Sequence, residues 1–287
     1  MKFLIYTLIL IVAIITIGYF FKKDREFEYE TPSNENEEME VFETKEEEPD
    51  STDEDKAEEV KEEAEVFETK EEEGAVSEKN LKEIVYGFLG TPYKRGPLGE
   101  DQGEKIYRTD VFDCTTLVLI SASKYNSNGK TAEEMMKIAN YHPAEVISYE
   151  TRLHFTTYRN LVSPFFEDIT HEVGENLTKE KVVILNRERN EKGRLIDIDW
   201  QEEIILRYIK KEDIHKIKSN IPAEVGVAFV VNGDEDMGLD VRHEGFVFDG
   251  HELIHASSQR GEVYKEDFLK FIENSNYSGV LFFKLTR

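Results

Sequence analysis

A long acidic segment of low complexity, residues 26–76, most constrains how this 287-residue chain can fold. Residues 26–74 carry 24 acidic side chains against four lysines, a local charge of −20, so only about −5 of the net charge of −25 belongs to the rest. Such a segment cannot bury enough apolar surface to offset the entropy of ordering it. We therefore expect a disordered, self-repelling tether at 26–76 and a folded domain confined to residues 77–287.

The tether contains an internal duplication, because the sequence Glu-Val-Phe-Glu-Thr-Lys-Glu-Glu-Glu at 40–48 recurs at 65–73. Two copies of a charged tract do not build a repeat fold, which indicates slippage within a linker. The alternative is a repeated docking peptide around Phe42 and Phe67. Since the excess negative charge is confined to this segment, it argues against nucleic acid as a partner.

The chain begins with a membrane-anchor candidate at residues 1–25. Its span, residues 3–21, has no charged side chain and would be roughly 30 Å long as a helix, enough to cross a bilayer. A cleaved signal peptide is the alternative, but the span exceeds a usual signal core and lacks a small-residue cleavage site. Lys22, Lys23 and Arg25 follow the span against Lys2 before it, which alone favours a cytoplasmic domain.

Hydrophobic periodicity predicts an α+β domain with a mainly antiparallel sheet in its C-terminal half. The helix at 81–88 has N-cap candidates in Ser77 and Asn80, and the apolar run that begins at Cys114 follows Asp113 as its N-cap. Further helices are predicted at 131–140, 211–218 and 268–272. Strands are predicted at 181–185, 197–209, 226–231, 240–248, 252–257 and 279–285.

Cys114 is the single cysteine, so the chain forms no internal disulfide and has no Cys-x-x-Cys motif. A thiol attacks as thiolate, which a helix N-terminus and a neighbouring histidine both promote. His243 and His255, on two predicted strands, are the candidate partners. Two alternatives stay open: a small buried cysteine with two structural histidines, and an open three-ligand zinc site made of these residues.

The turn between the two strands decides whether the histidines can act together. A two-residue turn at Asp249 and Gly250 would place His243 and His255 on opposite faces of the hairpin. A three-residue loop that includes His251 would place them on one face as diagonal neighbours, about 7–8 Å apart or less. If the histidines cooperate, we therefore predict the odd-numbered loop with a bulge.

Several motifs together resemble the NlpC/P60 superfamily of papain-like cell-wall hydrolases, and most closely its DUF1460, N-acetylmuramoyl-L-alanine amidase-like family. The resemblance covers roughly residues 80–287 and excludes the anchor and the tether. The motifs are Gly-Thr-Pro-Tyr at 90–93, Asp-Cys-Thr-Thr at 113–116, Tyr-Glu-Thr-Arg-Leu-His-Phe at 149–155, Gly-Leu-Asp-Val-Arg-His-Glu-Gly at 238–245 and His-Ala-Ser at 255–257.

The resemblance implies a papain-like fold in which the helix of the nucleophile packs on the sheet. It makes Cys114 the nucleophile, His243 the general base and His255 the residue that orients that base. Tyr93 corresponds to a tyrosine beside the nucleophile, and Arg152 lies in a segment that flanks the substrate pocket. No metal or cofactor is implied.

The implied reaction is hydrolysis of an amide in peptidoglycan or a muropeptide, most closely the N-acetylmuramoyl-L-alanine bond. The alternatives are cleavage of γ-D-glutamyl–diaminopimelate and a non-catalytic wall-binding module. Such a substrate favours an extracytoplasmic domain, against the charge signal at the anchor. One departure is Glu244, where relatives carry a small or apolar residue; we expect its carboxylate either to raise the basicity of His243 or to face solvent.

Overall fold

The computed structural model describes residues 80–99, 105–127, 129–142, 146–189, 193–231 and 238–287. The predicted anchor span and the acidic tether lie outside these residues, as does the N-cap candidate Ser77. Within the described ranges, no helix is both long and apolar enough to cross a membrane.

An antiparallel sheet of eight strands organises the described part of the chain. The strands are β1 (Phe166–Asp168), β2 (Thr178–Leu185), β3 (Glu202–Lys210), β4 (Glu224–Val230), β5 (Val241–Phe248), β6 (Glu252–Ser257), β7 (Glu262–Asp267) and β8 (Gly279–Leu285). Their order is β2-β3-β8-β4-β5-β6-β7, and the short β1 pairs with β8. Every one of these pairings is antiparallel, which confirms the predicted mixture of helices with a mainly antiparallel sheet.

Short helices surround the sheet. They are α1 (Leu81–Tyr86), α2 (Cys114–Tyr125), α3 (Ala132–Asn140), α4 (Thr156–Val162), α5 (Thr170–Gly174) and α6 (Phe268–Asn274). Two 3₁₀ helices, Glu175–Leu177 and Lys211–Asn220, complete the set, and the second replaces the α-helix predicted at 211–218. Asn80 caps α1 and Thr131 caps α3, each accepting a hydrogen bond from the backbone N–H three residues on.

The strand predicted at 197–209 begins five residues late, at Glu202. The buried side chain of Asn186 explains the difference: it accepts from the N–H of Ile196 and donates to the carbonyl oxygens of Ile198 and Trp200. These bonds satisfy the backbone groups that a strand would have paired. The segment therefore forms a loop although its apolar residues alternate.

Each face of the sheet packs against its own apolar core. One core joins α1, α2 and α3 to alternate strand residues such as Phe246 and Phe283. The other joins α5, α6 and the longer 3₁₀ helix to the intervening residues, among them Phe229 and Val247. Side chains of neighbouring strand residues therefore enter different cores, so the strand that carries His243 reaches both faces.

Candidate active site

The helix α2 begins at Cys114, as the apolar run predicted, because Asp113 forms a complete capping box with Thr116. The Asp113 carboxylate accepts from the Thr116 N–H at 2.8 Å, and the Thr116 hydroxyl lies 2.9 Å from the Asp113 N–H. A second Asp113 oxygen accepts from the N–H of Gly96 at 3.0 Å. These bonds hold a half-buried thiol at the first turn of a buried helix.

The Cys114 sulfur meets the sheet at strand β5. It lies near the backbone N–H of Glu244, which opposes the rise in the pKa of the thiol and belongs to the peptide bond joining His243 to Glu244. On β5, only Phe246 to Phe248 pair with β6, so Glu244 lies just beyond the paired part of the two strands. The helix thereby brings the predicted nucleophile to the backbone of the predicted base.

Burial determines the ionisation of the thiol. It raises the pKa of Cys114 to about 12, and the carboxylates of Glu244 and Asp113 add to the rise. The Glu244 N–H and the Thr115 hydroxyl act in the opposite direction but are outweighed. The thiolate expected from the helix N-terminus is therefore not the resting form: Cys114 is a neutral thiol at pH 7.

Two tyrosines lie close enough to Cys114 to sense its charge. Burial raises the pKa of Tyr93, and the charges of Cys114 and Asp113 contribute to the rise. Burial also raises the pKa of Tyr277 to about 12, again with a contribution from Cys114. Tyr93 thus lies near Cys114, and its role in the site stays a prediction; Tyr277 was not predicted.

The β5–β6 hairpin has the odd-numbered loop that cooperation between the histidines requires. Phe248 pairs with Glu252, and Phe246 with Ile254, so three residues separate the paired strand ends. Asp249 and Gly250 both have positive φ, 52° and 70°, and the N–H of His251 bonds to the carbonyl of Phe248. His243 and His255 consequently lie on one face as diagonal neighbours, which confirms the predicted odd-numbered loop, whereas the paired residues of β5 and β6 show no bulge.

The two imidazoles and a carboxylate form a continuous hydrogen-bonded series. Nε2 of His243 lies 2.6 Å from Nδ1 of His255, and Nε2 of His255 lies 2.8 Å from Oε1 of Glu266 on β7. As a carboxylate, Glu266 can only accept, so Nε2 of His255 carries the proton. Nδ1 of neutral His255 then accepts from Nε2 of His243, which leaves the lone pair of His243 on Nδ1.

Aromatic rings enclose the histidine pair. The His243 ring stacks on Phe229 with centroids 5.5 Å apart and lies parallel to Tyr277, while Phe271 contacts both histidines. Burial in this setting, with a smaller contribution from His255, lowers the pKa of His243 to about 3. Burial also lowers the pKa of His255, although Glu266 opposes that shift. The site therefore combines a neutral thiol with two neutral imidazoles.

Glu244 fulfils neither expectation made for it. Its carboxylate is directed away from His243, into the opposite face of β5, and is 1% exposed. There it binds the equally buried Arg159 through two hydrogen bonds, 3.0 Å from Nη1 to Oε1 and 2.8 Å from Nη2 to Oε2. It thus neither raises the basicity of His243 nor faces solvent; its one effect on the site is to raise the pKa of Cys114.

An open cleft of about 530 Å³ leads to His243 and His255. Its walls come from the β6–β7 turn, α6 and the segment before β8, and they include Glu266 and Tyr277 but not Cys114. Arg152 is not brought to this cleft. It lines a separate small cavity with Trp200 and lies over the ring of Tyr149 at 5.5 Å.

No described group of three or more histidine, cysteine or acidic side chains is arranged to hold a metal ion. The nitrogens of His243 and His255 face each other across 2.6 Å, as in a hydrogen bond, rather than converging on a common centre. The residues proposed for zinc therefore do not fit a zinc site in this arrangement.

Glu266 is the site residue that sequence reasoning missed, because its strand was not predicted. In β7 the polar residues outnumber the apolar ones, and Val263 is its one fully buried hydrophobic side chain. One sequence signal could have indicated this strand. The segment after β6 and its tight turn is placed to form an antiparallel partner of β6, beside His255. A carboxylate on that partner was available in the sequence.

Comparisons with known proteins agree with the motifs. A family model described as AmiA-like, N-acetylmuramoyl-L-alanine amidase-like, matches residues 83–280. No curated protein matches the chain. A solved DUF1460 protein from Legionella pneumophila str. Philadelphia 1 is 20% identical with a TM-score of 0.60, covering 72% of this chain and 88% of that one. An N-acetylmuramoyl-L-alanine amidase from Bacteroides uniformis ATCC 8492 is 18% identical with a TM-score of 0.55, covering 72% and 97%. These two likenesses establish a shared fold.

Proposed function

This chain belongs to the AmiA-like, N-acetylmuramoyl-L-alanine amidase-like family, and from that premise we propose that it is a cysteine-dependent amidase of the papain-like NlpC/P60 type. Its substrate is peptidoglycan or a muropeptide, and the bond is the amide between N-acetylmuramic acid and L-alanine. The observation that carries the proposal is the series from His243 through His255 to Glu266, beside a thiol at a helix N-terminus.

The first half of the reaction forms a thioester. The Cys114 sulfur attacks the lactyl carbonyl carbon, and the thiol proton passes to Nδ1 of His243, the nitrogen that the hydrogen-bonded series leaves as acceptor. The N–H groups of the first turn of α2 stabilise the oxyanion that develops. His243 then donates its proton to the alanine nitrogen, the C–N bond breaks and the peptide leaves with a free amine.

The second half hydrolyses the thioester. His243, again neutral, takes a proton from a water molecule as that water attacks the thioester carbonyl. The tetrahedral intermediate collapses by breaking the C–S bond, and the proton on His243 returns to the sulfur. The products are the muramic acid carboxyl group and the regenerated thiol. His255 and Glu266 exchange no atoms with the substrate; they hold His243 in the required tautomer and orientation.

The neutral thiol and the neutral imidazole favour proton transfer during attack over a preformed thiolate–imidazolium pair. Forming a thiolate and an imidazolium in this buried site costs free energy. The pKa values of about 12 for Cys114 and of about 3 for His243 reflect that cost. We expect a bound substrate to lower this cost at the moment of attack, because its polar groups replace the local water. The N–H groups of the first turn of α2 should lower the cost as well.

Mass analysis of products from a defined disaccharide-peptide tests the proposal, because it identifies the bond that is cleaved. We expect release of a peptide with a free L-alanine amine, and loss of about 10³-fold or more of the rate in Cys114→Ala. Cys114→Ser is the matched control for shape. Equal rates in Cys114→Ala and wild type would remove the thiol from the mechanism, and inhibition by a chelator would favour zinc chemistry.

Two alternatives give different outcomes in the same assay. A γ-D-glutamyl–diaminopimelate endopeptidase would release a fragment that begins at diaminopimelate and leave L-alanine attached to the sugar. A non-catalytic wall-binding module would bind the substrate and release neither fragment. The hydrogen-bonded histidines oppose the second alternative, because a binding surface does not require an imidazole of fixed tautomer.

A further inference from the structure

The cleft beside the histidine pair carries a concentration of positive charge that the proposed mechanism does not use. Arg242, Arg260 and Lys270 all line it and are exposed. Among the described residues that line it, the one acidic side chain is that of Glu266, which hydrogen-bonds to His255. Outside residues 26–74 the chain carries a net charge of only about −5, and the three cations make this cleft locally basic.

The cations are held by different parts of the fold. Arg242 is the extra residue of a β-bulge, because Phe229 pairs with His243 and Val230 pairs with Val241. Bulges redirect side chains next to functional sites. Arg260 lies in the β6–β7 turn with its guanidinium over the Tyr264 ring, 4.9 Å from the centroid. Lys270 projects from the first turn of α6.

The acidic residues of α6 and its cap are engaged away from the cleft. The Asp267 carboxylate accepts from the backbone N–H of Lys270 at 2.9 Å and so caps the helix. Glu273 lies 2.6 Å from Nε2 of His215. The hydroxyl and amide side chains of Ser258, Gln259 and Asn274 fill the rest of this rim. The cleft therefore presents cations and neutral hydrogen-bond donors, which is the chemistry that recognises a carboxylate.

We propose that this cleft is a subsite for a carboxylate of the stem peptide, with Arg260 and Lys270 as its principal ligands and Arg242 supporting them. The proposal rests on the amidase function proposed above. In a stem peptide a γ-linked D-glutamyl residue follows L-alanine and keeps its α-carboxyl group free. That group lies roughly 6–7 Å from the scissile amide in an extended chain. With the amide at His243, it falls within the cleft, whose volume suits a ligand of dipeptide size.

The test compares two disaccharide-dipeptides that differ at one group, the D-glutamyl α-carboxylate and its carboxamide, using the full-length chain. We expect wild type to show about a tenfold lower KM for the carboxylate form. Lys270→Gln and Arg260→Gln should each raise that KM about five- to tenfold with kcat unchanged, the signature of lost ground-state binding. KM for the carboxamide should not change. Lys137→Gln, an exposed lysine of α3, is the matched control.

Calorimetry separates this subsite from the reaction. It measures how Cys114→Ala binds two free dipeptides, L-alanyl-D-glutamate and the same dipeptide amidated at the glutamyl α-carboxyl group. A preference for the carboxylate that Lys270→Gln abolishes supports the subsite, even if wild type cleaves neither disaccharide-dipeptide and the proposed function fails. Equal binding of the two dipeptides, or KM values that the two cleft substitutions leave unchanged, would overturn it while leaving the amidase proposal standing.

Discussion

The carboxylate of Glu266 determines which nitrogen of His243 carries a proton, although the two side chains do not touch. His255 transmits the effect, since it receives a hydrogen bond on Nδ1 only while its own proton is held on Nε2 by Glu266. Without that acceptor, His255 can turn its proton toward His243. Nδ1 of His243 would then be protonated and unable to take the thiol proton.

Glu266→Ala is therefore expected to lower kcat about 10²-fold with little change in KM, because tautomer control serves the transition state more than binding. Glu266→Gln should recover part of the rate, since the carboxamide oxygen still accepts from His255. Steady-state kinetics on a defined muropeptide measures both values. A purely structural role for Glu266 would instead make the two variants lose stability and activity in parallel, as shown by their unfolding midpoints.

The depressed pKa of His243 has a consequence for the pH profile. A base with an ordinary pKa near 6.5 loses activity as the pH falls through that value, whereas a base with a pKa of about 3 stays neutral. We expect kcat/KM to be nearly constant from about pH 7 down to about pH 4.5. The muropeptide amidated at the D-glutamyl α-carboxyl is the substrate to use, because it lacks the carboxylate that the cleft is proposed to bind. A twofold loss near pH 6.5 would contradict the assignment.

The lowered pKa of His243 also makes the free energy of unfolding depend on pH. Below about pH 6.5 the unfolded chain protonates His243 while the native state does not, so the unfolded state binds more protons. The free energy of unfolding therefore decreases as the pH falls from about 6.5 toward 3, by up to about 1.4 kcal/mol per pH unit from this one group. Denaturant titrations of wild type and His243→Asn isolate the contribution, and the exposed His251→Asn is the control.

Among the secondary-structure elements, α4 and β5 are joined by a buried ion pair. Arg159 and Glu244 are each 1% exposed and form two hydrogen bonds, and the guanidinium also lies 4.5 Å from the centroid of Phe166. Removing one member of such a pair leaves the other charged and desolvated. The pair holds the strand that carries the His243–Glu244 peptide, against which the Cys114 sulfur lies.

Glu244→Gln or Arg159→Met alone is expected to destabilise the domain by about 3–5 kcal/mol, whereas the double substitution should recover much of the loss because no unpaired charge remains. Chemical denaturation of the four proteins gives the coupling energy. Additive effects would show that the two side chains contribute independently. Exchanging the exposed pair Lys284 and Glu167, 3.0 Å apart, for neutral residues should cost no more than about 1 kcal/mol.

The elements that local chemistry encodes were predictable from the sequence. The helix at Cys114 follows from Asp113 as an N-cap before an apolar run, and the shared face of the histidines follows from counting residues around the Asp249–Gly250 turn. Elements that depend on distant partners were not predictable. Strand β7 is polar and owes its pairing to β6, the loop before β3 owes its shape to Asn186, and Glu244 owes its burial to Arg159, 85 residues earlier in the chain.

The same distinction applies to the site residues. Cys114, His243 and His255 were predicted from motifs. The structure brings the two histidines together and places Cys114 near the backbone of Glu244, and the catalytic roles of the three residues stay predictions. The pKa values of Cys114 and His243 could not be predicted, because burial depends on the folded domain. For Cys114, burial raises the pKa by more than the helix N-terminus was expected to lower it. Arg152 stays a predicted substrate residue, now located at a cavity distinct from the cleft.

For the whole molecule, the amidase-like domain follows an acidic segment, predicted to be a tether, and an apolar N-terminal span, both of which lie outside the described residues. We propose that the span anchors the protein in the membrane and that the domain lies on the extracytoplasmic side, where a peptidoglycan substrate is found. The tether would hold the domain off the bilayer. With a net charge of −20, the acidic residues of this segment repel one another and are also repelled by an anionic membrane surface.

Two arginines in the centre of the span should release the protein from membranes. In Ile11→Arg/Ile14→Arg each charge raises the cost of insertion by about 2.5–3.5 kcal/mol, enough to disfavour a span of this length. We expect the variant in the soluble fraction after alkaline extraction, with unchanged kcat/KM on a soluble muropeptide, and the control Ile11→Leu/Ile14→Leu in the membrane. A wild type recovered in the soluble fraction and shortened by about 25 residues would instead indicate a cleaved signal.

Orientation needs its own measurement, because Lys22, Lys23 and Arg25 favour a cytoplasmic domain while the substrate favours the opposite side. If the domain lies outside the cell, protease added to intact cells or wall-free cell bodies should cleave within residues 26–76 and release the amidase-like domain. If the protein resists the added protease until the membrane is permeabilised, the domain lies in the cytoplasm. Its substrate would then be restricted to soluble muropeptides that enter the cell, since intact peptidoglycan would be out of reach.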